Sequence, residues 1–183
     1  MNLRNSTTTY GWITIVLHWA MAVAIFGLFG LGVWMRSLGY YDAWYHRAPD
    51  LHQSIGMITL ALLLFRLCWA STNVKPHTLG APWERTGGII AHRLFYLLML
   101  IIMTSGYLIP TAEAEGFDIF SGLHVPALFH LTPKQADING AIHKYSAWLI
   151  VVLAALHAAA AFKHHLINRD ATLLRMLGKK KGE

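Results

Sequence analysis

Residues 142–165 read IHKYSAWLIVVLAALHAAAAFKHH. The stretch is long, mostly apolar and reads as a helix. It also carries His143, His157, His164 and His165. An α-helix rises ~1.5 Å and turns ~100° per residue. The fourteen residues from His143 to His157 therefore cover about 21 Å and return to within ~40° of the same face. The seven from His157 to His164 add about 10 Å on nearly that face. His165 is rotated off it. One helix thus presents imidazoles at three depths, pointing one way.

The rest of the chain says what surrounds this helix. Of its 183 residues, 55% are hydrophobic and 13% charged, with a mean hydropathy of +0.43. Soluble domains carry roughly 25% charged residues. About half that, with long apolar runs, indicates a membrane protein. The net charge of +6 then marks membrane-flanking loops and not a nucleic-acid partner. Cys68 is the single cysteine, so no intrachain disulfide, zinc ribbon or iron–sulfur set is available. No C-x-x-C-H motif is present for covalent haem attachment. Arg4 is the one charged residue before the first apolar run, which is too long for a signal sequence.

The expected fold is an all-α membrane protein, a four-helix transmembrane bundle forming a single domain over residues 1–183. A span needs ~20 apolar residues. The expected spans are residues 11–35, 52–72, 89–112 and 141–167. Trp and Tyr gather near several ends, as interfacial belts do. If the termini and the loop between spans two and three share one side, that side holds eleven of the fifteen Lys and Arg residues (Arg4, Arg66, Lys75, Arg85, Arg93, Lys163, Arg169, Arg175, Lys179, Lys180 and Lys181). The other side holds Arg36, Arg47, Lys134, Lys144 and six of the nine acids. The positive-inside bias puts both termini in the cytoplasm.

Depth pairs the helix with its neighbours. His52 and His143 both lie near the outer surface, and His18 and His157 both lie toward the inner one. Two opposed imidazoles at one depth can ligate a metal centre from both sides. Two such pairs in a four-helix bundle suit two bis-histidine haems, His52/His143 outer and His18/His157 inner. A single intramembrane histidine can instead simply bond a neighbouring helix. Arg66 shares the His52 face ~21 Å further in. It can meet an inner-haem propionate or reach lipid phosphate. Gly56, one turn after His52, admits either a flat macrocycle or close helix packing.

The segments VLHW, LHQSIG, AHRLFYLL, IHKY and LHAAAAFKHHLINRDATLLRM, in this order, resemble the bacterial cytochrome b561 family along essentially the whole chain. The resemblance implies two non-covalent b haems in a bacterial inner-membrane bundle, ligated through iron by His18, His52, His143 and His157. The last segment is similar to the family's superoxide-oxidising members. That implies oxidation of superoxide, or another outer one-electron donor, and reduction of ubiquinone, an enzyme of superoxide:ubiquinone oxidoreductase type. His92 and His164 match histidines near the quinone. The family's quinone-side lysine has no clear counterpart in this sequence; Lys75 or His77 could take its place.

The expected partners are membrane lipids, ubiquinone and the outer donor, with room for a partner protein. A purely structural membrane anchor for a complex would leave the paired histidines unexplained, and two further rival readings stand beside it. One is a cytochrome b subunit passing electrons between the quinone pool and a partner dehydrogenase. The other is a histidine-lined divalent-metal transporter, which would want acids inside the spans; none of the nine Asp and Glu lies in a span core.

Overall fold

A computed structural model gives the fold and describes residues 2–120 and 122–179. Lys180 and Lys181, counted in the charge bias, lie outside the described residues. Four long helices carry the architecture: α1 (Trp12–Met35), α2 (Arg47–Ser71), α3 (Pro82–Leu108) and α4 (Pro133–Leu166). Each is long and apolar enough to cross a membrane. Lipid offers backbone groups no hydrogen bonds, so a crossing segment must satisfy its own, as a helix does. Val23, Leu64, Leu97, Leu149 and Val152 are exposed along the bundle, where lipid replaces water as solvent. The helices pack in sequence, most closely α1 with α2 and α3 with α4.

Three helices begin earlier than the apolar runs suggest. Helix α2 starts at Arg47, α3 at Pro82 and α4 at Pro133. Capping explains two of these starts. Thr132 and Gln135 bond reciprocally at the head of α4, with Thr132 N donating to Gln135 Oε1 at 2.9 Å and Gln135 N to Thr132 Oγ1 at 3.4 Å. Pro133 follows at the first helical position. At α3, Ala81 N donates to Glu84 Oε2 at 2.7 Å. These polar first turns continue the helices beyond their apolar stretches.

The buried core is Met21, Leu63, Leu98, Met99 and Ile150, with Ile25, Leu67, Phe95 and Tyr96 against it. Ile150 lies midway between His143 and His157 along α4. Tight packing therefore fills the level between the two histidine depths.

The two ends of the bundle differ. At one, a short antiparallel hairpin pairs β1 (Phe117–Ile119) with β2 (Leu123–Val125), a feature not expected from sequence. Phe120 N donates to Ser54 Oγ at 3.0 Å and ties the hairpin to α2. Tyr107 Oη donates to Pro126 O at 2.8 Å. At the other end the two termini and the α2–α3 loop are laced together. His77 N donates to Thr7 O at 2.9 Å, Arg175 to His77 O at 2.8 Å, and Trp19 Nε1 to Met176 O at 2.9 Å. Met176 closes a short helix, α5 (Thr172–Met176).

Candidate functional site

The unbroken helix α4 carries His143 and His157 at two levels. Toward the hairpin end, His52 on α2 faces His143, with ring centroids 6.2 Å apart. Toward the termini end, His18 on α1 faces His157 at 6.4 Å. Two imidazoles bound end-on to one metal ion at about 2.0–2.1 Å place their centroids about 6 Å apart. Both pairs have that separation.

The atoms behind the rings bear on the same question. His143 Nδ1 lies 3.0 Å from Ile102 O and 3.3 Å from Ser105 Oγ. A carbonyl only accepts, so Nδ1 carries the proton and Nε2 keeps its lone pair free, the usual state of a metal-binding histidine. Asn139 Nδ2 donates to Ser105 O at 2.8 Å in the same buried layer. His52 Nδ1 is buried with no hydrogen-bond partner among the described residues. A nitrogen withdrawn from water and given no protein partner fits a site completed by a non-protein group. A Cβ at Gly56 would meet nothing within 4 Å, leaving open space one turn from His52. The residues therefore fit b haem.

Two glycines make room for the rings. A Cβ on Gly106 would stand 2.9 Å from His143 Cε1, and one on Gly32 would stand 3.2 Å from His52 Cε1. Sequence reasoning passed over both, and over Ser105 and Asn139. The available signal for Gly106 was a small residue inside an apolar span, the mark of a close helix approach.

The remaining candidates separate. The His92 ring lies 5.4 Å from that of His157, and Phe95 meets His157 edge-on at 5.4 Å. Arg66 Nε donates to Tyr96 Oη at 3.2 Å, and its Nη1 donates to Leu17 O at 3.4 Å. That holds the guanidinium between α1 and α3, one turn or less from His18 along α1. His164 lies at the termini end, its Nδ1 2.6 Å from Asp170 Oδ2. Next to it Lys163 pairs with Glu84 and lies 5.1 Å above the Trp83 ring. His92 follows Glu84 by eight residues on α3, so it sits about 12 Å deeper than this cluster. Among the described residues, no three His, Cys, Asp or Glu side chains converge as a metal-ion site.

Residues 9–179 match the family model described as prokaryotic cytochrome b561. The chain belongs to the prokaryotic cytochrome b561 family. Among relatives, it is 42% identical over 181 residues to cytochrome b561 homolog 2 of Escherichia coli (strain K12), covering 98% of this chain and 96% of that one. It is 27% identical over 177 residues to a Yersinia pestis protein named probable superoxide oxidase CybB, covering 94% and 98%. Cytochrome b561 homolog 1 of Escherichia coli (strain K12) is 24% identical over 172 residues, covering 91% and 96%. This cytochrome b561 is thus a multi-pass membrane electron-transfer protein of a family that binds b-type haem.

Proposed function

We propose that this cytochrome b561 is a two-haem electron conduit across the bacterial inner membrane, folded as one domain over residues 1–183 with both termini cytoplasmic. His52 and His143 hold one haem near the outer surface, and His18 and His157 hold the other near the inner surface. These four imidazoles would hold b haem, which would supply one-electron transfer. The observation that carries this reading is the pair of facing imidazoles at each of two levels, 6.2 and 6.4 Å apart.

The chain's own residues hold and tune the site. Ile102 O and Ser105 fix the His143 ring, and Gly32 and Gly106 give the outer rings their space. Arg66 offers positive charge beside the inner pair for a haem propionate. The electron donor is superoxide or another outer one-electron donor, and the acceptor is ubiquinone. His92, beside His157, and His164, at the inner surface, contact the quinone. Each ring N–H can donate a hydrogen bond to a carbonyl oxygen. The likeness to the Yersinia pestis protein supports superoxide as donor.

One observation favours a second reading, electron exchange between the quinone pool and a partner dehydrogenase. Exposed Asp42, Asp50, Glu113, Glu115, Asp118 and Asp137 gather toward the hairpin end and repel an anion such as superoxide. Exposed Leu128 and Phe129 lie beside the hairpin, as a protein-docking surface requires.

The test is haem content and reduction in one purified preparation. Two b haems per chain are expected, and His143→Ala should remove one and spare the other. One haem or none in the unaltered protein overturns the model. Rapid haem reduction by superoxide favours the first donor, and reduction by quinol alone favours the second reading.

A further inference from the structure

The hydrogen bonds around His164 single out a residue that the haem and quinone assignments leave unused. His164 Nδ1 and Asp170 Oδ2 are 2.6 Å apart, with side chains 12% and 19% exposed. Asp170 is itself anchored. Its Oδ1 accepts from Thr172 N at 2.8 Å, and its own N–H donates to His164 O at 3.1 Å. Partial burial opposes ionisation of Asp170, but the hydrogen bonds from Thr172 and His164 outweigh it and hold the carboxyl below the usual range. An ionised carboxylate only accepts. The shared proton therefore sits on His164 Nδ1. Asn168 Nδ2, 3.3 Å from the same nitrogen, is a donor facing a donor and does not compete. Its other near neighbour is Glu84 Oε1 at 3.4 Å.

The backbone also closes around this ring. Gly80 has φ +91°, and a Cβ there would stand 2.8 Å from His164 Cε1. Only glycine takes that conformation freely, so the α2–α3 loop can lie directly against His164. The charged neighbours on the facing elements, Glu84 on α3 and Lys163 on α4, are paired with each other. That leaves Asp170 as the carboxylate that acts on the ring. Among the described residues, His164 Nε2 has no hydrogen-bond partner.

We propose that Asp170 is a positioning residue: it holds His164 in the Nδ1–H form and presents Nε2 as the atom that passes a proton to the quinone. This rests on the quinone reading given above. Conversion of a quinone to a quinol takes two electrons, which come from the outer one-electron donor, and two protons. For one of those protons, the Nε2–H bond of the imidazolium breaks and an O–H bond forms on the quinone oxygen. The ring is left neutral with its Nδ1–H still donated to Asp170, and cytoplasmic water restores the proton. A carboxylate behind an acid–base imidazole serves the same purpose in hydrolytic triads, where it sets tautomer and orientation.

The test uses the full-length, haem-loaded protein in lipid nanodiscs with a short-chain ubiquinone. Histidine ¹⁵N spectra, with His164 identified by its loss in His164→Gln, report its tautomer directly. Nδ1–H in the unaltered protein is expected, and Nε2–H overturns the proposal. Asp170→Asn removes the charge yet keeps an oxygen for Thr172 N, since asparagine caps as well as aspartate. It should lower kcat about tenfold or more, leave the haem spectrum and the quinone KM unchanged, and alter the shape of the pH–rate curve between about pH 5.5 and 8.5. Asp170→Glu, which keeps the carboxylate, should restore part of the rate. A purely structural role would scale the curve without reshaping it, and that result overturns the proposal. If His164→Gln slows turnover but Asp170→Asn does not, the role of Asp170 fails while the quinone reading stands. If His164→Gln turns over normally, the quinone reading fails and takes the proton step with it.

Discussion

Gly106 on α3 backs directly onto the imidazole of His143 on α4, so closely that a Cβ would stand 2.9 Å from Cε1. The ring is also held by Ile102 O at 3.0 Å and has little freedom to retreat. Gly106→Ala would gain about 1 kcal/mol in helix propensity. It should nevertheless turn His143 out of line with His52. The expected outcome is loss of one b haem per chain with the other retained, read from haem content and the reduced optical spectrum.

Asn139 sets a second constraint on the same layer. It is buried, and its Nδ2 is the donor to Ser105 O. Asn139→Leu leaves that carbonyl without its partner in a region water does not reach. Such an orphan costs about 1–3 kcal/mol. The midpoint of thermal unfolding in detergent should fall, and the optical spectrum of the haem proposed at His143 should broaden.

Arg66 tests the opposite level. Its guanidinium bonds Tyr96 and Leu17 O in the region of His18 and His157. Arg66→Met keeps an unbranched apolar stem but removes the guanidinium and its charge. The haem proposed at the His18/His157 level should be lost or lowered in potential, and the one proposed at His52/His143 left as it was, as a redox titration followed optically would resolve.

The acid limb of stability at the termini end should trace to Asp170. Its carboxyl is held below the ordinary range. A group whose folded value is depressed adds stability above its unfolded value, about 3.9 for aspartate. That stability is lost as the pH falls through the folded value. The segment following α4 should therefore be fully ordered at neutral pH and loosen below about pH 4. Limited proteolysis against pH would show the opening, and Asp170→Asn should flatten the dependence.

How far the sequence could be read differs from element to element. The four long helices announce themselves because apolar runs of this length have one stable form in lipid. Their first turns do not, since Thr132, Pro133 and Glu84 extend the helices by capping, beyond the reach of hydropathy. Helical periodicity puts His143 and His157 on one face, and depth alone sets His52 opposite the first and His18 opposite the second. The structure packs the rings of each of these pairs together. His92 shows where depth falls short. Its depth along α3, level with His157, was readable, but its position 5.4 Å from His157 depends on how α3 is rotated against α4. The hairpin over Phe117–Val125 was also missed, because three-residue strands carry too little pattern to register.

What the sequence determined by itself is one-dimensional in origin: where the chain crosses the membrane, at what depth each imidazole lies, and which imidazoles share a helix face. These follow from a fixed rise and rotation per residue and from the cost of polar groups in lipid. Only the tertiary structure decided which atoms stand behind those imidazoles. Gly106 and Ile102 behind His143, Gly32 behind His52, and Gly80 and Asp170 around His164 come from other helices or from loops. Their contacts depend on helix rotation and loop path, set by packing across the whole bundle and not encoded in any single segment.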